Sequence, residues 1–275
     1  MYQMQPVERL IQVDGLITVY DYIRPKGFYF PGESHDFWEC VYIREGEATA
    51  TADERVYQLE TGKLLIHKPM EYHRIWAKED CAPWVINISF RAHGALTEKL
   101  SCRCFDLKYE QQERFFTITK IFSRLENLKE VNAQQYASCV NLTAALLEAF
   151  LIELADNEKD SAPSRSHNDI RYSKIVQIMK SNCNKNLSLT ELAQLGQMSV
   201  SNMKRVFQVY SDVGIAKYFL TLRVRYAMEL LESGMPAYRV AETLNFPDTA
   251  YFYTVFKRET GMTPAQYRKS KHNTL

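Results

Sequence analysis

Residues 192–267 carry one short pattern twice, and this repeat limits the fold more than any other feature of the chain. Leu192-Ala193 in ELAQLGQM matches Val240-Ala241 in RVAETLNF at an offset of 48. Val206-Phe207 matches Val255-Phe256, and Tyr218 matches Tyr267, both at an offset of 49. Each copy reads as a short helix, a tight turn ending in a large apolar residue (Met198 or Phe246), and a second helix. In a helix–turn–helix of this kind the second helix enters the major groove of DNA. A helix over 215–233, stopped at Gly234, joins the copies and lets them address two successive grooves on one face of a duplex. Ser188 and Glu191 are spaced as a capping box, and Pro236 sits where the first turn of a helix tolerates proline.

Charge divides the chain at the same place. Residues 168–275 hold fifteen Lys/Arg against eight Asp/Glu, whereas residues 1–167 hold nineteen against twenty-five. A basic half joined to an acidic half points to nucleic acid at one end only. Residues 156–169, DNEKDSAPSRSHND, contain no large apolar side chain and read as a solvated linker. Upstream, short β-rich runs such as LITVYDYI, WECVYIREG, KLLIH and WVINISF are separated by Gly, Pro and Asp, the spacing of a small barrel or sandwich. Two helical stretches follow. One aligns Phe115, Ile118, Phe122 and Leu125; the other, over 132–155, aligns Tyr136, Val140, Thr143, Leu147, Phe150 and Leu154. The second stripe packs on the barrel or against its own copy in a homodimer.

The N-terminal residues lack a basic head before an apolar run, and no uninterrupted apolar stretch is long enough to span a bilayer. The expectation is a cytoplasmic protein with no membrane partner. Six cysteines without paired spacing fit a reducing compartment, and the lone Cys102-x-Cys104 reads as packing residues. No Gly-rich phosphate loop or nucleophile elbow occurs, so no catalytic residues and no cofactor are assigned.

The C-terminal hundred residues resemble the DNA-binding domain of the AraC/XylS family of bacterial transcription regulators. The match is carried by VAETLNFPDTAYFYTVFKRETGMTPAQYRK, with its ending at Gly261, Met262, Thr263, Pro264 and Tyr267. GESHDFWECVYIREGEATATADERVYQLETGKLLIHKPMEYHRI resembles the cupin-like effector domain that many members carry. The resemblance implies an α+β multidomain chain. Its parts would be a cupin-like β-barrel over 1–100, a helical packing or dimerisation region over 101–155, the linker over 156–169, and an all-α double helix–turn–helix domain over 170–275. It implies a sequence-specific regulator that binds a double-stranded DNA operator, a small-molecule effector such as a sugar or related metabolite, and RNA polymerase.

A recognition helix keeps one apolar side for its own domain and presents polar or basic side chains to the groove. Met203, Val206, Phe207 and Tyr210 form the inner face in the first unit, leaving Ser201, Asn202, Lys204, Arg205 and Gln208 outward. In the second, Phe252, Val255 and Phe256 face in, leaving Thr249, Ala250, Tyr253, Thr254 and Lys257 outward. Three positions depart from the family pattern. Thr254 replaces a common arginine, Tyr253 replaces a small residue, and Asp212 stands where a glycine is usual, which a left-handed Asp would accommodate. In the barrel, His35, Trp38, Tyr42, His73 and Trp84 are read as inward residues of an effector pocket. Glu33, His35, Glu39 and His73 are respectable metal-ligand types. However, Glu33 and Phe37 stand where metal-binding cupins often place histidines, so no metal is assigned. The alternatives are a cupin-type metalloenzyme with a helical interaction domain, and a DNA-binding protein whose barrel only dimerises.

Overall fold

The computed structural model describes residues 4–101, 103–129, 132–156 and 161–272. Cys102, residues 1–3 of the expected barrel, residues 157–160 of the expected linker and residues 273–275 of the expected DNA-binding segment lie outside these. The chain forms two compact units, Met1–Ser164 and Arg165–Leu275.

In the first unit eight strands come in succession: β1 (Gln12–Ile23), β2 (Tyr29–Glu33), β3 (Trp38–Glu45), β4 (Glu47–Ala52), β5 (Arg55–Glu60), β6 (Lys63–His67), β7 (His73–Trp76) and β8 (Trp84–His93). The short helix α1 (Thr97–Leu100) precedes β9 (Arg103–Asp106), and then come α2 (Tyr109–Phe122), α3 (Leu125–Leu128) and α4 (Ala133–Ala155). The strands make two antiparallel sheets, ordered β1-β8-β3-β6-β9 and β2-β7-β4-β5. β9 is a correction to the purely helical reading of residues 101–155. RCFD is too short to show a period, yet it pairs with β6 and sends Cys104 and Phe105 to opposite faces.

Strand side chains alternate between two faces. One set, including Val41, Ile43, Ala48, Ala50, Tyr57, Leu59, Leu65, Ile75 and Val85, fills the space between the sheets. The other, including Trp38, Cys40, Tyr42, Leu64, Ile66, Ile86, Ile88 and Phe90, packs against Phe115 and Ile118 of α2 and Leu147, Phe150, Leu151 and Leu154 of α4. The five-stranded sheet is therefore covered on both sides. By length and a mean hydropathy of 1.6, α4 is long and apolar enough to cross a membrane, which corrects the expectation that no stretch is. Part of that apolarity is spent on the sheet–helix core. Its two carboxylates are engaged as well: Glu148 accepts from the Val13 amide at 2.8 Å, and Glu153 accepts from Gln111 at 3.1 Å and from Arg114.

Among the described residues the second unit is all helix: α5 (His167–Lys180), α6 (Leu189–Leu195), α7 (Val200–Gln208), α8 (Ile215–Glu232), α9 (Ala237–Thr243), α10 (Thr249–Thr260) and α11 (Pro264–His272). α5 starts inside the stretch read as linker, because Ser166 and Asp169 cap it reciprocally. Asp169 is buried and also accepts from Tyr210 Oη at 2.7 Å, tying α5 to the end of α7. Before it, Ser161 and Ser164 donate their amides to the Cys104 and Val56 carbonyls, both at 2.7 Å, so this part of the stretch lies bound to the strands of the first unit.

The repeat holds at the level of single backbone hydrogen bonds. Met198 N donates to Ala193 O and Phe246 N to Ala241 O, each at 3.0 Å. Gln197 (φ 54°) and Asn245 (φ 50°) both take the left-handed conformation that turns the chain between the helices. The two sites are 48 residues apart, the offset read from Leu192 and Val240. Asp212 is not left-handed, contrary to expectation. That turn is closed instead by the Tyr210 and Ser211 amides on Phe207 O and by Ser211 Oγ on Val213 O.

Candidate functional site

The second helix of each repeat begins under a side-chain cap: Ser199 accepts from the Asn202 amide, and Asp248 from the Tyr251 amide. On α7 the buried residues are Met203, Val206 and Phe207, with Tyr210 just beyond the helix. Ser201, Lys204, Arg205 and Gln208 are exposed, and Asn202 is half-buried. Arg205 Nη2 donates to Asn202 Oδ1 at 3.1 Å, which holds the guanidinium along the helix surface. On α10, Phe252, Val255 and Phe256 are buried, and Thr249, Ala250, Tyr253, Thr254 and Lys257 are exposed. Thr254 Oγ1 donates back to Ala250 O at 3.0 Å, so its hydroxyl is already engaged within the helix. α10 therefore offers fewer free donors than α7, and it ends at Gly261 in the left-handed conformation (φ 76°).

Sequence reasoning missed the residue that links the two repeats. Arg223 on α8 is 4% exposed. Its guanidinium donates to Cys183 O and Asn186 Oδ1 before the first repeat, both at 3.3 Å. It also donates to Leu244 O and, at 3.4 Å, to Asn245 O in the turn of the second, and stacks over Phe246 at 4.3 Å. The available signal was one charge set within the apolar stripe of a long helix.

In the first unit the five residues read as effector wall divide. His35 and His73 lie together, ring centroids 4.8 Å apart. Trp38 and Tyr42 instead belong to the sheet–helix core, with Tyr42 against Phe115 and Phe116. Trp84 packs against the same core, donates to Asp21 at 2.5 Å and lies under the Arg44 guanidinium. Their inward assignment is corrected. Glu39, Val41 and Ile43 take the space between the sheets, and the period of two sends Trp38 and Tyr42 the other way.

Around the two histidines is a buried polar cluster. Glu39 sits opposite His67 on β6 and Ser89 on β8, and Glu33 opposite His73 on β7. Glu39 accepts from Asn87 Nδ2 at 2.7 Å and from Ser89 Oγ at 3.4 Å. His67 stacks on His73 at 4.2 Å and pairs through Nδ1 with the buried Glu71 carboxylate at 2.6 Å. Burial pushes the Glu39 carboxyl up, but the adjoining His35 and the other imidazoles outweigh it and hold it well below the usual carboxylate range. Burial, reinforced by His67, pushes His73 down to about 4. At neutral pH the cluster therefore holds an ionised carboxylate beside a neutral imidazole.

A basic helical unit with two capped recognition helices, joined in one chain to a double-sheet unit that buries a polar cluster between its sheets, defines a DNA-binding transcription regulator with a ligand-binding domain. Comparison with known proteins agrees. Residues 192–270 match a family described as helix-turn-helix domain, and residues 19–97 match the AraC-like ligand binding domain. The HTH-type transcriptional activator RhaR of Mannheimia succiniciproducens is 23% identical over 254 residues, 87% of each chain. The Msm operon regulatory protein of Streptococcus mutans is 23% identical over 258 residues, 90% of each. Among solved structures, ToxT from Vibrio cholerae O395 aligns over 95% of this chain and 98% of its own, at 13% identity and a TM-score of 0.37. The chain belongs to the AraC family of transcription regulators.

Proposed function

We propose that the chain is a cytoplasmic, homodimeric regulator that reads its operator with α7 and α10 and is not an enzyme. The observation that carries this is the pair of equivalent left-handed turns at Gln197 and Asn245, each presenting a capped helix with an exposed polar face. Ser201, Asn202, Lys204, Arg205 and Gln208 are the stronger reading head. Thr249, Ala250, Tyr253, Thr254 and Lys257 contribute more to backbone than to bases, since Thr254 bonds to its own helix. The effector, a sugar or related metabolite, is received between the sheets at His35 and His73, where buried acceptors suit a polyhydroxylated ligand. It regulates only if it binds the DNA-competent and incompetent arrangements with different affinity, and RNA polymerase is the downstream partner. Dimerisation uses the open side of α4, of whose most apolar window only 28% is buried and on which Leu142 is 51% exposed.

Retention on duplex DNA tests this reading. Lys204, Arg205 and Lys257 are all exposed, and each phosphate neutralised contributes about −0.9 to the slope of log K against log salt, so a slope of about −3 or steeper per chain is expected. Affinity that ignores salt, or no retention at all, contradicts it.

A further inference from the structure

We infer that Glu33, His35, Glu39 and His73 form a binding site for one divalent transition-metal ion. Their ligand atoms all lie within 4.8 Å of one another. His35 Nε2 is 3.4 Å from Glu39 Oε2, and His73 Nε2 is 4.0 Å from Glu33 Oε1. Ligands at about 2.1 Å from a common ion stand roughly 3–4 Å apart, so small side-chain shifts close the shell.

The hydrogen bonds behind the rings point the same way. His35 Nδ1 faces Phe37 O at 3.0 Å, and His73 Nδ1 faces Glu71 O at 3.1 Å. A carbonyl oxygen only accepts, so in each neutral ring Nδ1 carries the proton and Nε2 keeps a lone pair. Both Nε2 atoms are buried without a hydrogen-bond partner, and the side chains of His35 and His73 are 10% and 5% exposed. Two buried, unpartnered Nε2 atoms beside carboxylate oxygens are the polar arrangement that a cation between them would complete. A backbone carbonyl behind each imidazole, with Asn87 and Ser89 behind Glu39, is the support that orients metal ligands.

Two imidazoles with two carboxylates select ions such as Zn²⁺, Fe²⁺, Mn²⁺ or Ni²⁺ over the all-oxygen preference of Mg²⁺ and Ca²⁺. Four protein ligands leave two positions of an octahedral shell for oxygen atoms. An effector hydroxyl or carboxylate would then meet the ion rather than the imidazoles; that last step rests on the effector reading above, whereas the metal site does not.

The test uses the full chain, stripped with a chelator and titrated with Zn²⁺ by calorimetry, with Co²⁺ as a visible-absorption probe. One saturable ion per chain is expected. His73→Gln should weaken it at least about tenfold with an unchanged circular dichroism spectrum. His93→Ala, in an exposed pair with Asp14, should leave it unchanged. If His73→Gln does not fold, Glu33→Gln on the exposed rim replaces it under the same criterion. Absence of saturable binding, or wild-type affinity in the folded ligand variant, overturns the proposal. DNA retention, measured in parallel on stripped protein, keeps its failure separate from failure of the regulator reading.

Discussion

Replacing Arg223 with alanine is expected to destabilise the helical unit by about 3 kcal/mol and lower its melting temperature by at least about 10 °C. The guanidinium meets Cys183 O, Asn186 Oδ1, Leu244 O and Asn245 O at once, and it is almost wholly buried. Truncation leaves buried carbonyls without donors and opens a void beside Phe246. Arg223→Lys should recover only part of the loss, because an ammonium has three donors on one atom and cannot span the planar fork. Thermal unfolding of the full chain, followed by the helical circular dichroism signal, measures both variants. A melting temperature within about 2 °C of wild type for Arg223→Ala would show that the contacts carry little energy. The Asn245 turn would also be disturbed, so operator affinity should fall in the same variant.

Arg205→Ala is expected to separate binding from folding. Arg205 is exposed, and the structure gives it a side-chain bond to Asn202 at 3.1 Å. Its loss should leave unfolding unchanged and reduce specific operator affinity about 10- to 100-fold, the worth of one good base contact. Lys204→Ala should instead weaken binding to all sequences alike and reduce the salt slope by about 1. A footprint of Arg205→Ala at wild-type affinity would remove this residue from the reading head.

The helical unit was legible because its repeat is written in apolar residues at a fixed offset, and burial keeps that register. Met203, Val206 and Phe207 on α7, and Phe252, Val255 and Phe256 on α10, all lie on the inner faces read from spacing. The double-sheet unit was legible as strands but not by face. All of Trp38 through Ile43 is buried, because one side of β3 meets the opposite sheet and the other meets α2 and α4. With both faces dry, apolar residues carry no parity signal. The informative residue was the polar one: Glu39 points to the buried polar cluster between the sheets, and that fixes Trp38 and Tyr42 on the other side. His35 was found on one run with Glu39 and His73 by its place on a second strand, whereas His67 was not singled out. The support of Glu39 by Asn87 and Ser89 comes from a strand 48 and 50 residues away, and although Glu71 lies only two residues before His73, no local pattern announces that its carbonyl meets the ring. Arg223 was missed for a related reason, since its partners lie 21 to 40 residues away in the chain.

Base-by-base protection of an operator recovered by selection from random duplexes tests the two-headed reading most directly. Each copy of the chain should protect two major-groove patches on one face of the DNA, about 10 base pairs apart, as two linked recognition helices require. Arg205→Ala should erase the patch under α7 while sparing the one under α10. Protection confined to a single groove per chain would contradict the assignment of α10 as a second reading head.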